Sequence, residues 1–190
     1  MTQLIEYSTN YFKNYQSLKN SEIANKINEV RKTMTQQYCS CLIDIGIGSG
    51  EFIEKSDIQV YGYDINKHGI EWLKTRNIYI NPFQGIPSEI DGWTFWDVIE
   101  HLPEPQELLD LVPLNHYLFT SIPIFENISK VKTSKHFKPN EHLYYFTRQG
   151  FITFMTDSGF KLIEENDLET RAGREGITNF SFIKAKCNQC

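Results

Sequence analysis

The stretch Cys41-Leu42-Ile43-Asp44-Ile45-Gly46-Ile47-Gly48-Ser49-Gly50-Glu51 decides how the rest of the sequence reads. Leu42, Ile43 and Ile45 make a short apolar run of the kind that forms a buried strand, and the glycines begin where that strand must turn. Without a Cβ, the backbone there bends sharply and passes close to a ligand. A helix from about Glu51 points free N–H groups back at the loop, which favours a carboxylate or a phosphate. Spacing then narrows the ligand. A dinucleotide fingerprint needs G-x-G-x-x-G, and its third position falls on Glu51, so the pattern here is a different one, D-x-G-x-G-x-G.

Outward from the loop, residues 59–64 (Gln-Val-Tyr-Gly-Tyr-Asp) read as a second strand. Asp64 falls 18 residues after Gly46, where a doubly wound sheet sets the end of strand two beside the end of strand one. An acidic residue there accepts hydrogen bonds from ribose hydroxyls; an ordinary strand-end Asp is the alternative. Residues 66–76 read as a helix capped at Asn66, and 77–81 as a short third strand. Residues 92–97 are the fourth strand, running into Asp97-Val98-Ile99-Glu100-His101-Leu102-Pro103-Glu104-Pro105. A helix over 105–112 follows, then a fifth strand over 116–122 stopped by Pro123.

Composition bounds the rest. The 190 residues suit one domain, 39–186, with a core that needs neither disulfide nor metal. A net charge of −5 argues against strong non-specific nucleic-acid binding. No Arg/Lys-plus-apolar leader opens the sequence and no apolar run approaches the roughly 20 residues of a membrane helix, so the expectation is a cytoplasmic protein without a membrane partner. Cys39-x-Cys41 and Cys187-x-x-Cys190 read as reduced, unliganded thiols in that compartment, with 187–190 a tail.

Residues 1–38 precede the core. Ile23, Ile27, Val30 and Met34 recur at spacings of three and four, an amphipathic helix with Ser21 as N-cap. Tyr7, Tyr11, Phe12 and Tyr15 come before it. They pack on the core or form a lid over the ligand; both readings stand. Residues 124–146 are a long connection in which Lys130, Lys132, Lys135 and Lys138 face only Glu126 and Glu141. It is a solvated surface or a docking face for an anionic partner. A helix over 147–159 with Thr147 as N-cap, and two alternating strands over 161–168 and 179–186, close the sequence. The charged run 169–175 between them reads as a loop rather than core, with its arginines free to face a site.

The D-x-G-x-G-x-G loop, the Asp64 strand and the D-V-I-E-H-L-P-E-P segment occur in the order and at the spacings of the class I S-adenosylmethionine (SAM) methyltransferases, which this sequence resembles over about residues 40–186. The resemblance implies a Rossmann-like α/β fold, a seven-stranded mostly parallel sheet with an antiparallel last strand. It also implies a SAM site around Asp44, Gly46, Gly48, Gly50, Asp64, Ile65 and Asp97. Asn81-Pro82-Phe83 is not that superfamily's N-P-P-[YF] motif, because it lacks the second proline and follows the third strand.

SAM carries its own sulfonium leaving group, so an enzyme mainly positions the acceptor and removes a proton if the acceptor is a hydroxyl. Asp97, Glu100 and His101 stand at i, i+3 and i+4, which puts them on one face if the chain enters a helical turn there. The loop after strand five brings His136, Glu141 or His142 over that face. Carboxylates with imidazoles suit Mg, Mn, Fe or Zn. The same segment, with Glu141-His142-Leu143-Tyr144-Tyr145-Phe146-Thr147-Arg148, is similar to the metal-dependent O-methyltransferases, including small-RNA 3′-terminal and ubiquinone-pathway enzymes. That similarity implies a metal on Asp97, Glu100, His101 and His142, although the first position is Asp where those enzymes carry Glu. The alternative is a general base or a structural Glu-His pair. The expected function is methyl transfer from SAM, to oxygen, on a small-molecule, sugar or nucleic-acid-end acceptor. A SAM-binding module without turnover and another SAM-consuming activity such as a lyase remain the other classes.

Overall fold

β1 (Cys41–Ile45) is buried at all five positions, as a strand covered on both faces must be. The computed structural model describes residues 21–186, and in it β1 is the hinge of the sheet. β2 (Gln59–Tyr63) and β3 (Gly92–Trp96) flank β1, both parallel to it. β4 (Tyr117–Phe125) continues parallel to β3, and β7 (Ile177–Lys184) and β6 (Phe160–Asn166) complete the sheet antiparallel. The order is β2-β1-β3-β4-β7-β6, with the two-residue β5 (Phe146–Thr147) paired to the end of β4. After β2 the chain returns past β1 to lay down β3 on its other side. That reversal opens a crevice at the carboxyl ends of β1 and β3.

Side-chain alternation splits β1 between two cores. Leu42 packs with Met34 of α1 (Glu22–Gln36) and Phe52 of α2 (Glu51–Lys55). Ile43 and Ile45 pack on the other face with Trp93, Phe95, Leu109 of α4 (Pro105–Leu109) and Phe151 of α5 (Arg148–Asp157). The expected N-caps form: Ser21 accepts from Ala24 N–H at 3.1 Å and Thr147 from Gly150 N–H at 3.1 Å. Asn66 likewise caps α3 (Lys67–Thr75), accepting from His68 N–H at 2.9 Å.

Three expectations are corrected. Residues 77–81 form no strand; they make one bridge, Gly62 to Tyr79, and β5 supplies the seventh strand instead. Pro123 does not stop the fifth expected strand. Ile124 N–H donates to the Gly176 carbonyl, so the nitrogen of Pro123 faces the opposite side, beyond the end of β3, and no ladder bond is lost. The run 169–175 is not all surface, because Glu169 in α6 (Leu168–Arg171) is fully buried. Met34 of α1 belongs to the core, so residues 22–36 are part of the same packed body as 39–186. The aromatics at 7, 11, 12 and 15, and Cys187 and Cys190, lie outside the described residues.

Candidate active site

The glycine loop forms as its sequence requires. Gly46, Gly48 and Gly50 hold φ of 70°, 54° and 74°, a region side chains avoid. A Cβ on Gly46 would also sit 2.8 Å from Val98 of the segment after β3. The helix that follows is only five residues long, so its dipole contributes little. Parallel register sets Asp44 of β1 against Thr94 of β3, whose hydroxyl donates to the Asp44 carboxylate at 2.6 Å. Burial nevertheless pushes the Asp44 carboxyl up to about 7.

A cavity of about 450 Å³ opens over this crevice. Asp44, Gly46 and Gly48 line one wall, and Asp97, Glu100 and His101 another. Asn28 and Arg31 of α1 close the third side. Among the described residues, Asp64 and Ile65 are not part of its lining. They stand at the end of β2, where Asp64 accepts from Asn66 N–H at 2.7 Å and Ile65 is 66% exposed. Burial raises the Asp64 carboxyl above its usual range, against the neighbouring amides of Asn66, Ile65 and Ile47.

Past β3 the chain does not enter a helix at Asp97. Its φ is +56°, Val98 has non-helical dihedrals of φ −123° and ψ −46°, and the 3₁₀ turn covers only Ile99–His101. The face expected to carry Asp97, Glu100 and His101 together therefore starts after Asp97. The long connection closes onto this turn instead: Leu143 and Tyr144 N–H both donate to the Glu100 carbonyl, at 2.8 and 3.2 Å. His101 Nδ1 lies 2.9 Å from the Glu141 carbonyl, and Tyr144 Oη donates to Pro103 at 2.9 Å. These bonds bring His142 beside His101, ring centroids 4.6 Å apart and perpendicular. Ligand atoms of Glu100, His101 and His142 lie within 4.8 Å of one another. Asp97 is not part of that cluster.

The electrostatics of the cluster are unusual. Glu100 is 2% exposed and, among the described residues, neither carboxylate oxygen has a hydrogen-bond partner on another residue, which is costly for a buried acid; the hydrogen bond that acts to lower its pKa comes from its own backbone amide. Burial, and then the charge of Asp97, push it up to about 8. Burial and the neighbouring His101 drive His142 down to about 4, and burial lowers His101 as well. Both imidazoles are neutral at pH 7. A backbone carbonyl facing His101 Nδ1 fixes the tautomer with Nε2 unprotonated.

Arg31 and Arg174 escaped the sequence reading as site residues with a defined role. Arg174 donates to both oxygens of Asp97, at 2.8 and 2.9 Å, and Arg31 to one at 3.2 Å. Both also bond the buried Glu169. Burial alone would raise the Asp97 carboxyl, but the two guanidiniums outweigh it and hold it low. Arg31 stacks over Trp96, whose buried indole N–H has no hydrogen-bond partner among the described residues. Cys39 and Cys41 are buried free thiols away from the site, and burial pushes Cys41 up to about 11.

No curated protein matches the chain. Solved structures share its fold. The magnesium protoporphyrin IX methyltransferase of Synechocystis PCC 6803, with bound SAH, superposes at a TM-score of 0.65 and 13% identity over 94% of this chain and 96% of that one. A SAM-dependent methyltransferase of Thermotoga maritima, described as a possible histamine N-methyltransferase, gives 0.64 and 15% over 92% and 96%. The [4+2]-cyclase SpnF gives 0.60 and 9% over 85% and 81%. The family described as "Methyltransferase domain" matches residues 13–165, a span that holds the glycine loop, the Glu100 turn and His142. The chain belongs to that methyltransferase family, an enzyme of SAM-dependent methyl transfer on a Rossmann-like fold.

Proposed function

We propose that the protein transfers the SAM methyl group to an acceptor oxygen, at a divalent ion held by Glu100, His101 and His142. One observation carries this reading: a buried carboxylate with both oxygens unpartnered stands beside two neutral imidazoles. A cation satisfies all three groups at once, and one carboxylate with two imidazoles suits Mn, Fe or Zn. The Glu141 carbonyl on His101 Nδ1 is the outer partner that metal-ligating histidines use. Such an ion lowers the pKa of an acceptor hydroxyl when bound.

The chain's own residues supply the rest. Asp44 and the glycine loop cradle the methionine end of SAM, Asp64 the ribose hydroxyls, and exposed Ile65 a face of the adenine. The 99–101 turn holds the acceptor oxygen on the far side of the methyl group, in line with the sulfur. The direct-base reading is weaker, because a Glu100 held up to about 8 is largely protonated at pH 7 and is a poor proton acceptor. The acceptor is anionic in this reading. Lys138, paired with Glu141 at 3.3 Å, lines the cavity, and Lys130 and Lys132 are exposed without an ion pair among the described residues.

Chelation tests the proposal. With labelled methyl-SAM and pooled cell extract, EDTA should abolish label transfer while SAM affinity stays nearly intact. One added divalent ion should restore transfer in the wild type but not in Glu100→Gln or His142→Ala. Full transfer by protein shown by elemental analysis to be metal-free would refute the ion. Label released as methylthioadenosine would indicate a lyase.

A further inference from the structure

We infer that Arg31 and Arg174 are positioning residues that withhold Asp97 from the divalent ion, so that the ion has three protein ligands rather than four. The inference rests on the metal reading above and concerns how that site is limited. In sequence, Asp97 heads a run whose spacing suits ligation, and it is close enough to Glu100 and His101 to shift or be shifted by both. Geometry takes it elsewhere. The left-handed φ of +56° at Asp97 breaks the helical run before Glu100 and sends its carboxylate toward α1 and the α6–β7 loop.

There Asp97 is caged. Oδ1 accepts from Arg174 Nη2 at 2.9 Å, and Oδ2 from Arg174 Nη1 at 2.8 Å and Arg31 Nη2 at 3.2 Å. The arginines are themselves fixed. Glu169 accepts from Arg31 Nε at 2.8 Å and Arg174 Nη1 at 2.6 Å, and Asn179 Nδ2 donates to it at 2.9 Å. Two cations and two anions cancel, so the network is neutral as it stands. Swinging Asp97 to the ion would break three charge-assisted bonds and leave a buried excess of positive charge. A three-ligand site keeps coordination positions open toward the cavity, as catalytic metal sites do, and an acceptor oxygen can take one.

Titrating Mn²⁺ into metal-stripped protein by calorimetry tests this without reference to turnover, with circular dichroism as the fold check. Arg174→Gln removes two of the three bonds that hold the carboxylate and should tighten Mn²⁺ binding about tenfold, a gain that adding Asp97→Asn removes. A merely structural arginine predicts no change, and one that oriented a ligating Asp97 predicts the opposite sign, since losing such an outer partner costs about 10- to 100-fold in metal affinity. Arg31→Gln gives up one bond to Asp97 and should move the same way by less, which serves if Arg174→Gln does not fold. Unchanged or weaker Mn²⁺ binding in the folded arginine variants overturns the inference. So does an Asp97→Asn loss as large as that of Glu100→Gln, which would make Asp97 a ligand. Wild-type protein that binds no Mn²⁺, Zn²⁺ or Fe²⁺ sinks the metal reading itself, and this inference with it.

Discussion

Replacing Glu100 with Gln should stabilise the metal-free protein at pH 8 and do nothing near pH 4.5. Burial raises the carboxyl from its ordinary value of 4.5, which the unfolded chain keeps, to about 8 in the folded one. Because the folded pKa is the higher, the unfolded state gives up its proton first as pH rises. Stability is therefore full below about pH 4.5, falls through the window up to about 8, and is flat above it. A shift of that size, at about 1.4 kcal/mol per unit, corresponds to about 3–5 kcal/mol lost across the window. Gln keeps the shape and stays neutral, so at pH 8 the variant should exceed the wild type by that amount, or about 6–20 °C in Tm for a chain of this length. Near pH 4.5 both proteins bury a neutral, unpartnered group and should melt together. Asp44, also raised by burial, titrates in both proteins and cancels in the comparison. Thermal melts from pH 4.5 to 8.5 after exhaustive chelation read the difference directly. Equal Tm values at every pH would refute the claim that Glu100 is an uncompensated buried acid. Adding a divalent ion at pH 8 should then raise the wild type and leave Glu100→Gln where it was.

Three further outcomes follow from particular residues. Asp64→Ala removes charge-assisted hydrogen bonds worth about 1.5–3 kcal/mol and should weaken SAM binding about 10- to 150-fold by calorimetry; an unchanged affinity in a folded variant would remove Asp64 from the cradle. Phe151→Ala empties a fully buried position of the core beneath α5 and should cost about 3–5 kcal/mol in denaturant unfolding, with SAM affinity per folded molecule unaltered. Charge reversal at Lys130 and Lys132 should raise the acceptor KM and flatten its salt dependence without touching kcat, and a salt-independent KM in the wild type would return the connection to plain surface.

Much of the fold was legible because it is written in local terms. The β1 run is apolar at both parities, the glycines stand where positive φ is needed, and Ser21, Asn66 and Thr147 cap their helices through their own side chains. Those signals need only a few neighbouring residues. Residues 77–81 failed because a short run makes a strand only if a neighbour pairs along its length, and Gly62 offers a single bridge. Strand order placed His136, Glu141 or His142 over the turn, and only resemblance singled out His142. Its place beside His101 depends on two backbone bonds to the Glu100 carbonyl that no side-chain pattern announces.

Asp97 shows why the remainder was hidden. The i, i+3, i+4 rule holds only if every member has helical dihedrals, and one left-handed residue voids it. What turns the carboxylate away lies 66 and 77 positions distant along the chain, on Arg31 and Arg174, each of which looks like an ordinary charge in sequence. Glu169 gives the same lesson from the other side. Its run carries too much charge to suggest burial, yet it is fully buried, because each charge in that run of contacts has its opposite within hydrogen-bond distance. A buried ion network needs partners from several segments at once. It therefore becomes visible only when the end of β3, α1 and the α6–β7 loop are brought to one place, where Asp97, Arg31 and Arg174 line the same cavity.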